Sequence, residues 1–386
     1  MSPRLVILLL SGADSDSRVL KTLATARAVM PTTLVCVGPS RRVVDAVEVM
    51  HHPRRRLFPG LSALMLRVRF IRAAIQQASQ PGPVICWCND LGGLQVGVAL
   101  RLLVGKRVRL VYDSHEFAIN DRPGEGRARI SLKWVAEKAC IRFANEVICV
   151  SPRIAEEYER LYGIPRPTLV LNCPPWIPRP PRNDLIRRSL GLRADQRVFL
   201  YQGGLVRGRG LGTVMSAFEM QKDDAAVAVL MGSGPMEREI RDRAAACPSI
   251  RYLPAVPVDQ LLPWTASADY GLCFTEDTCL TNRWCLPNKL FEYVMAGIPV
   301  IASDTPEVAR FLGETGTGTV IRSGGAPALA AAVEDLLASG PFADSYAQEA
   351  VRARYCWERE AEAIVAMLTR LGGISYDRRL DASTRG

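Results

Sequence analysis

Two successive series of short apolar runs, each alternating with helical segments, constrain the fold of this chain most strongly. The first series is RLVILLL, TTLVCVG, PVICWCN, RVRLVYD and EVICVS, and the second is RVFLYQG, AAVAVLMG, IRYLPAV, YGLCF, PVIAS and GTVI. Such runs are typical of strands, and the segments between them have helical periodicity, beginning with residues 17–29. Strands that alternate with helices form parallel, doubly wound sheets. The sequence therefore predicts an α/β protein with two such sheets.

A proline-rich stretch, WIPRPPRND, separates the two series. Prolines cannot donate to a strand ladder and they stiffen the backbone, so the stretch is typical of an interdomain linker. A chain of 386 residues is long enough for two cores. We predict two Rossmann-like domains, a terminal helix and a loose tail, at residues 1–177, 178–352, 353–372 and 373–386. The helix has its apolar positions at Trp357, Ile364, Met367 and Leu368.

Ligands of open parallel sheets lie at the carboxyl ends of the strands. Two such domains would face a central cleft and hold their ligands there. The loops that lead from strands into helices are therefore the places to look for chemistry.

Composition indicates a globular cytoplasmic protein. The apolar fraction is 48%, the charged fraction is 23%, and no uncharged apolar run reaches the length of about 18 residues that crosses a bilayer. The apolar run VILLL near the start is too short for the apolar region of a signal peptide. Eleven cysteines are scattered without zinc-type spacing, which favours reduced thiols.

Positive charge is concentrated in the first half of the chain. Up to Ile177 there are 25 Lys and Arg against 14 Asp and Glu, and the remainder has 24 against 25. This asymmetry suggests an anionic partner such as a membrane surface, a phosphorylated lipid or nucleic acid, although solubilising arginines are an equal alternative. The segment after HHPRRR favours a membrane surface, because one predicted helical face carries apolar residues flanked by Arg67 and Arg69. These apolar residues are Leu61, Leu64, Met65, Val68 and Ile75.

The loop YQGGLVRGRGLG lies between a predicted strand and a predicted helix. Gly203 and Gly204 let the backbone approach a ligand closely, and Arg207 and Arg209 near a helix N-terminus suit a diphosphate. A flexible surface turn with solvated arginines is the alternative. For a second loop, LMGSGPMEREI, we predict mainly a structural role, in which Pro235 opens a helix. Contact of Gly232 with a ligand is a secondary prediction.

The segment LPNKLFEYVMAG predicts a helix whose first turn contains a proline and which ends at Gly297. In the first turn, Lys289 can meet phosphate charge, and its neighbours Asn288 and Leu290 are further donor-binding candidates. Glu292, one turn along, can accept hydrogen bonds from the vicinal hydroxyls of a ribose. A nucleoside diphosphate would satisfy both charges. The alternative is an amphipathic helix whose Lys and Glu face water.

Polar residues also follow strands of the first domain. In VYDSHEF, His115 and Glu116 come directly after an apolar strand, and Asp90 ends the previous one. A strand-end His beside carboxylates can bind substrate hydroxyls or transfer a proton, or it can be a satisfied structural residue. In the first loop, GADSDS, Asp16 is explained by helix capping more simply than by metal binding, so we predict no metal site.

Several motifs taken together resemble the family 4-like glycosyltransferases of the GT-B fold. These motifs are YDSHEF, VICVSPRIAEEYERLYG with VLN, YQGGLVRGRGL, LMGSG, LPNKLFEYVMAGIPVIAS and YCWERE, and they occur in order from Val6 to about Leu371. The resemblance implies retaining transfer of a sugar from a nucleotide sugar, commonly linked to UDP or GDP, with no metal or other cofactor required. It also implies that the first domain binds the acceptor and that the last helix returns to that domain.

The resemblance also assigns roles to particular residues. Arg209 is similar to the residue that holds the diphosphate, with Arg207 as a helper, and Glu292 is similar to the second Glu of an E-x7-E signature that holds the ribose. His115 and Glu116 fall where the family has a histidine motif near the reacting sugar. Gly12, Asp16, Asp90 and His115 are the acceptor-side candidates. Two positions depart from the family pattern: Trp284 replaces the first Glu of the signature, and Gly204 replaces an Arg.

The sequence thus predicts a hexosyltransferase of envelope or exopolysaccharide biosynthesis. Its acceptor would be a saccharide or a lipid-linked saccharide, and its basic first domain would contact the inner face of the cytoplasmic membrane. Two alternatives have the same fold: a nucleotide-sugar epimerase, and a catalytically silent partner subunit, which the two departures suggest. Two paired Rossmann-like domains argue against nucleic acid as the partner.

Overall fold

The computed structural model describes residues 2–14, 16–38, 46–49, 59–322, 324–339 and 349–374. Contacts between Cα atoms divide the chain into two compact units. Unit 1 comprises Met1–Ile119, Gly126–Val170 and Glu360–Gly386, and unit 2 comprises Asn120–Glu125 and Leu171–Arg359. The predicted tail from residue 375 onward lies outside the described residues, as does the HHPRRR cluster.

Unit 1 is built on a sheet of seven parallel strands in the order β3-β2-β1-β4-β5-β6-β7. The strands are β1 Arg4–Leu9, β2 Thr32–Val37, β3 Val47–Val49, β4 Val84–Asn89, β5 Val108–Ser114, β6 Glu146–Cys149 and β7 Thr168–Leu169. The helices between them are α1 Ser17–Arg27, α2 Pro59–Ala78, α3 Asp90–Val104, α4 Arg127–Ile141 and α5 Pro152–Tyr162. The central strands β1, β4 and β5 are almost wholly buried, as expected for a sheet with both faces covered.

Unit 2 repeats this architecture with six parallel strands in the order β10-β9-β8-β11-β12-β13. The strands are β8 Arg197–Gly204, β9 Ala226–Ser233, β10 Ile250–Pro254, β11 Tyr270–Cys273, β12 Val300–Ser303 and β13 Gly318–Ile321. The helices are α6 Leu185–Leu190, α7 Leu211–Glu219, α8 Glu237–Ala246, α9 Leu261–Thr265, α10 Leu280–Trp284, α11 Asn288–Ala296, α12 Pro306–Thr315, α13 Gly325–Ala338 and α14 Glu349–Arg354. A last helix, α15 Trp357–Gly372, begins in unit 2 and continues into unit 1. Separate apolar clusters fill the two faces of this sheet.

The predicted fold class is confirmed, because both sheets are parallel and alternate with helices. All eleven predicted strands are present. Four short elements, β3, β7, α6 and α10, were not predicted, because each has too few residues to show a periodicity.

The predicted terminal helix is two helices, α14 and α15. The chain turns between them because Tyr355 inserts into an aromatic cluster, 4.8 Å from the Phe311 ring and 5.9 Å from the Phe291 ring. From Glu360 onward α15 belongs to unit 1. Its predicted apolar residues, Trp357, Ile364, Met367 and Leu368, are buried.

Within the described part of the chain, no helix combines the length and the apolar character that crossing a bilayer requires. The eleven cysteines, all of which lie within the described residues, form no disulfide bond. Burial raises the pKa of Cys86 and Cys273 to about 12, so these thiols are packing groups at neutral pH.

Candidate functional site

The glycine-rich loop of unit 2 follows β8 and is shaped by a close backbone approach. Gly203 has a φ of +119°, which suits glycine. At Gly232, on the neighbouring strand β9, an added Cβ would lie 1.9 Å from the Gly203 carbonyl oxygen. Glycine is therefore required at position 232 for packing against the loop, in agreement with its predicted structural role.

Helix α11 begins beside this loop. Pro287 is its N-cap residue, where a first-turn position was predicted, and Gly297 ends it in the left-handed conformation as predicted. The Tyr293 hydroxyl fixes the helix to the sheet, since it accepts from the Gln202 backbone N–H at 3.2 Å and lies 2.9 Å from the Leu200 carbonyl. The Leu290 side chain is fully buried in the core, so it turns away from solvent, whereas Asn288 is exposed.

Glu292 is oriented by a side chain from β8. Gln202 Nε2 donates to Glu292 Oε2 at 2.6 Å, and Gln202 Oε1 accepts from the Thr265 hydroxyl at 2.8 Å. Because Gln202 is itself buried and held at both ends, the Glu292 carboxylate is fixed next to the glycine-rich loop. A fixed carboxylate at this edge of the sheet suits a pair of hydroxyl groups.

Lys289 lies against the same loop. Its Nζ is 3.4 Å from the centre of the Tyr201 ring and 3.9 Å from a Cβ placed on Gly203. Burial, together with the charge of Arg209, lowers the pKa of Lys289 to about 7, although Cys273 and Glu292 act in the opposite direction. A cation held in this way gains from an anionic ligand. Lys289 therefore places a cationic group at the glycine-rich loop.

The two arginines of the loop differ in their surroundings. Arg209 is half-buried, and its charge acts on Lys289 and on Tyr201, whose pKa is raised by burial. Arg207 is 85% exposed and lies 3.5 Å from Glu239. The structure therefore brings Arg209, Lys289 and Glu292 together and leaves Arg207 at the surface.

Unit 1 has its own polar cluster where β4 and β5 end. Arg18, from α1, binds both oxygens of Asp113, with its shortest contact at 2.6 Å, and donates to the Val170 carbonyl at 2.8 Å. The Trp87 indole N–H donates to Asp113 Oδ2 at 3.0 Å. Burial would raise the pKa of Asp113, but Arg18 and His115 hold it well below its usual range. Asp113 is therefore an ionised anchor.

His115 lies between two carboxylates. Its Nε2 is 3.5 Å from Asp113 Oδ2, and its Nδ1 is 3.9 Å from Asp90 Oδ2. Burial would lower the pKa of His115, but Asp113 and Asp90 outweigh burial and raise it to about 9. The imidazole is therefore protonated at neutral pH and can donate hydrogen bonds. It is poorly suited to act as a base.

The other predicted residues of unit 1 surround this cluster. Asp90 begins α3 with a φ of +56°, and its Oδ1 accepts from the His115 backbone N–H at 3.2 Å. Asp16 caps α1 by accepting from the Val19 N–H at 3.0 Å, which confirms the predicted capping role. Gly12 and Glu116 are exposed. The structure thus brings Asp90 and His115 together.

Sequence reasoning missed several residues that position these groups. Gln202 and Tyr201 directly precede the two glycines of the loop. Their position at the end of a predicted strand was the feature that could have identified them as site residues. The pairing of Arg18 with Asp113 joins positions 95 residues apart, so no local pattern could show it.

Two family models match: "Glycosyl transferase 4-like domain" over residues 18–175 and "Glycosyl transferases group 1" over residues 196–339. Together they cover most of the chain, and the chain belongs to this glycosyltransferase family.

Two curated proteins are similar over part of the chain. TuaC of Bacillus subtilis, named as a teichuronic acid biosynthesis glycosyltransferase, is 26% identical over 185 residues, which is 46% of this chain and 43% of TuaC. WbjE of Pseudomonas aeruginosa, named as a glycosyltransferase, is 25% identical over 142 residues, 36% of this chain and 35% of WbjE. The chain therefore spans less than half the length of these relatives.

Solved structures share the fold over nearly the whole chain. Sucrose-phosphate synthase from Thermosynechococcus elongatus has a TM-score of 0.78 at 19% identity, covering 97% of this chain and 100% of the other. HepE from Anabaena, in complex with UDP and glucose, has a TM-score of 0.73 at 14% identity, covering 95% and 99%. At these identities the likeness shows the GT-B fold.

Proposed function

We propose that this chain is a retaining glycosyltransferase that moves a sugar from a nucleoside diphosphate sugar to a saccharide or lipid-linked saccharide. One observation carries this proposal: unit 2 gathers Arg209, Lys289 and Glu292 at one glycine-rich loop. Two cations suit the diphosphate, and a fixed carboxylate suits the ribose. The UDP bound in the HepE structure supports the same class of donor.

The proposed chemistry follows from the charge that develops. Breaking the bond between the sugar and the diphosphate places negative charge on the leaving phosphate, and Arg209 and Lys289 stabilise it. These cations supply charge that a metal ion would otherwise provide, so we expect EDTA to leave turnover unchanged. The retaining outcome rests on the family resemblance: the acceptor hydroxyl attacks from the leaving-group side and gives its proton to the departing phosphate.

The protonated His115 suits hydrogen bonding to a sugar hydroxyl, in agreement with the role that the resemblance assigns to it. Arg18, Trp87 and Asp113 hold the ring's surroundings rigid.

The name of TuaC supports an acceptor used in cell-surface polysaccharide biosynthesis.

Product analysis tests the reaction. The protein is incubated with a panel of UDP, GDP, ADP and dTDP sugars, with and without a lipid-linked saccharide extract, and products are followed by NMR. We expect an α-linked product from an α-linked donor, formed only when acceptor is present. An isomerised nucleotide sugar formed without acceptor would indicate the epimerase, and no product with any donor would indicate the silent subunit.

Nucleotide binding should weaken as the pH rises above about 7. Burial lowers the pKa of Lys289 to about 7, so its ammonium group is present below that pH and is lost above it. A bound diphosphate favours the charged form of Lys289, so binding above pH 7 is accompanied by uptake of a proton by Lys289. The Kd should rise up to about tenfold per pH unit between pH 7 and 9. Calorimetry with UDP measures this.

The matched variant for this measurement is Lys289→Arg, whose guanidinium stays charged throughout the range. Its Kd should be nearly independent of pH. If both proteins show the same slope, Lys289 is not the titrating group.

We also propose that unit 1 contacts an anionic membrane through α2, α3 and α4. The described sequence of these helices contains eight Lys and Arg and two acids, Asp90 and Glu137. Glu137 is fully buried, and Asp90 lies beside His115. The same helices expose Met65, Val68, Leu102, Leu103, Leu132 and Val135. Exposed apolar side chains among basic residues fit an anionic lipid surface.

Vesicle co-sedimentation tests this surface. The protein should bind vesicles that contain phosphatidylglycerol, bind phosphatidylcholine vesicles poorly, and dissociate as salt increases. Leu132→Glu, at a residue 70% exposed, should reduce binding about tenfold, since a buried leucine contributes about 1.5–3 kcal/mol. The control is Val258→Glu in unit 2, where Val258 is 58% exposed. Equal loss in both variants would rule out the proposed surface.

A further inference from the structure

A buried carboxyl group in unit 1 lies outside the sites described above. Glu137, on α4, is fully buried and is surrounded by three tyrosine hydroxyl groups. The hydroxyl oxygens of Tyr112 and Tyr158 lie 2.5 Å and 2.8 Å from Glu137 Oε1. The hydroxyl oxygen of Tyr162 lies 2.5 Å from Oε2.

The contacts continue from Glu137 to the turn that contains His115. The Tyr158 hydroxyl oxygen lies 2.8 Å from Ser114 Oγ, and Ser114 Oγ donates to the Glu116 carbonyl at 2.6 Å. The bond from Ser114 to Glu116 closes the turn around His115. Glu137 is therefore linked to the His115 turn through two hydroxyl groups.

Counting hydrogens indicates the protonation state of Glu137. In the described part of the chain, five O···O contacts of this cluster have the distance and angles of hydrogen bonds: three at Glu137, one between Tyr158 and Ser114, and one from Ser114 to the Glu116 carbonyl. The four hydroxyl groups supply four hydrogens, and the carbonyl supplies none. All five contacts can be hydrogen bonds only if a fifth hydrogen is present, and a protonated Glu137 carboxyl group supplies it. Glu137 then donates to Tyr158, Tyr158 to Ser114, and Ser114 to the carbonyl.

The net shift of the Glu137 pKa is upward, which favours the neutral form. Burial is the main cause that raises the pKa of Glu137, the three tyrosines lower it, and Asp90 raises it again. The nearby thiols of Cys140 and Cys149 have raised pKa values and are uncharged at neutral pH. On α4 itself, the Lys138 ammonium group lies over the Trp134 ring at 4.6 Å.

We propose that Glu137 is a neutral carboxylic acid whose proton completes a hydrogen-bonded chain that positions the His115 turn. Glu137 is thus a positioning residue that acts through Tyr158 and Ser114. The relevance of Glu137 to sugar transfer rests on the proposed function. The chain of hydrogen bonds itself is independent of that function. Its tests are therefore physical measurements that need no donor or acceptor.

Infrared spectroscopy tests the protonation state directly. At pH 7 the wild-type protein should show a carboxylic-acid C=O band that is absent from Glu137→Gln. Glutamine keeps a donor and an acceptor in the same place, so this variant should fold. The control is Glu157→Gln, since Glu157 is also buried but is ion-paired with Arg160 at 2.6 Å. An acid band of the same intensity in wild type and Glu137→Gln would overturn the proposal.

NMR of the histidine resonances tests the positioning role. The chain has three His, so the His115 signal is identified by its loss in His115→Gln. Tyr158→Phe breaks the chain to Ser114 and should shift the His115 signal. Tyr162→Phe removes a contact to Glu137 outside the chain and should leave that signal unchanged. No shift in Tyr158→Phe, or equal shifts in both variants, would show that Glu137 does not act on His115.

Discussion

Arg209→Ala should reduce sugar transfer by about 100- to 1000-fold in kcat, the range for removal of one preorganised group that stabilises developing negative charge. Arg209 is half-buried at the glycine-rich loop, where its charge acts on Lys289. Its guanidinium would meet the leaving phosphate, whose charge is greatest in the transition state. Steady-state kinetics with the donor identified by product analysis measures this.

Arg207→Ala is the matched control. Arg207 is in the same loop, but its side chain is 85% exposed and pairs loosely with Glu239 at 3.5 Å. We expect a change in kcat of less than about threefold, because exposed pairs contribute little. Similar losses in the two variants would mean that the loop's general charge matters and that Arg209 has no specific role.

Gly232→Ala should destabilise unit 2 by about 3 kcal/mol, the upper end of the usual cost of overpacking a core. The added Cβ would lie 1.9 Å from the Gly203 carbonyl oxygen, so one strand end must move. The movement displaces the loop that precedes Arg209, and nucleotide binding should be lost with it. Urea unfolding and UDP titration measure the two effects.

Gly212→Ala provides the comparison for this substitution. Gly212 lies in α7, and a Cβ placed there would have no heavy atom within 4 Å among the described residues. Alanine in a helix is about 0.5–1 kcal/mol more favourable than glycine, so this variant should be slightly more stable than wild type. If Gly232→Ala were equally well tolerated, the loop would be more adaptable than the structure indicates.

The fold could be predicted largely from the sequence, because each strand of a doubly wound sheet is a short apolar run that needs no knowledge of its neighbours. The run YGLCF, for example, is β11 at Tyr270–Cys273. The site loops could be located for the same reason, since they follow those runs. The break before α15 could not, because it depends on Tyr355 meeting Phe311, which is distant in sequence.

The state of individual side chains also required the structure. Arg207 and Arg209 are both placed in the glycine-rich loop by the sequence, and the structure shows that Arg209 acts on Lys289 whereas Arg207 is exposed at the surface. His115 has a strand-end position that suits a base. The nearby carboxylates of Asp113 and Asp90 raise its pKa to about 9, so it is positively charged at neutral pH. Such differences arise from packing between segments far apart in the chain.

In the proposed binding mode, one nucleoside diphosphate contacts both the cations and the carboxylate of unit 2. Calorimetric titration of UDP, GDP, ADP and dTDP into wild type, Lys289→Ala and Glu292→Ala tests it most directly. We predict that at least one diphosphate binds with a stoichiometry of one, and that each variant binds it at least about tenfold more weakly. Binding of none of the four, or unchanged affinity in both variants, would contradict the account.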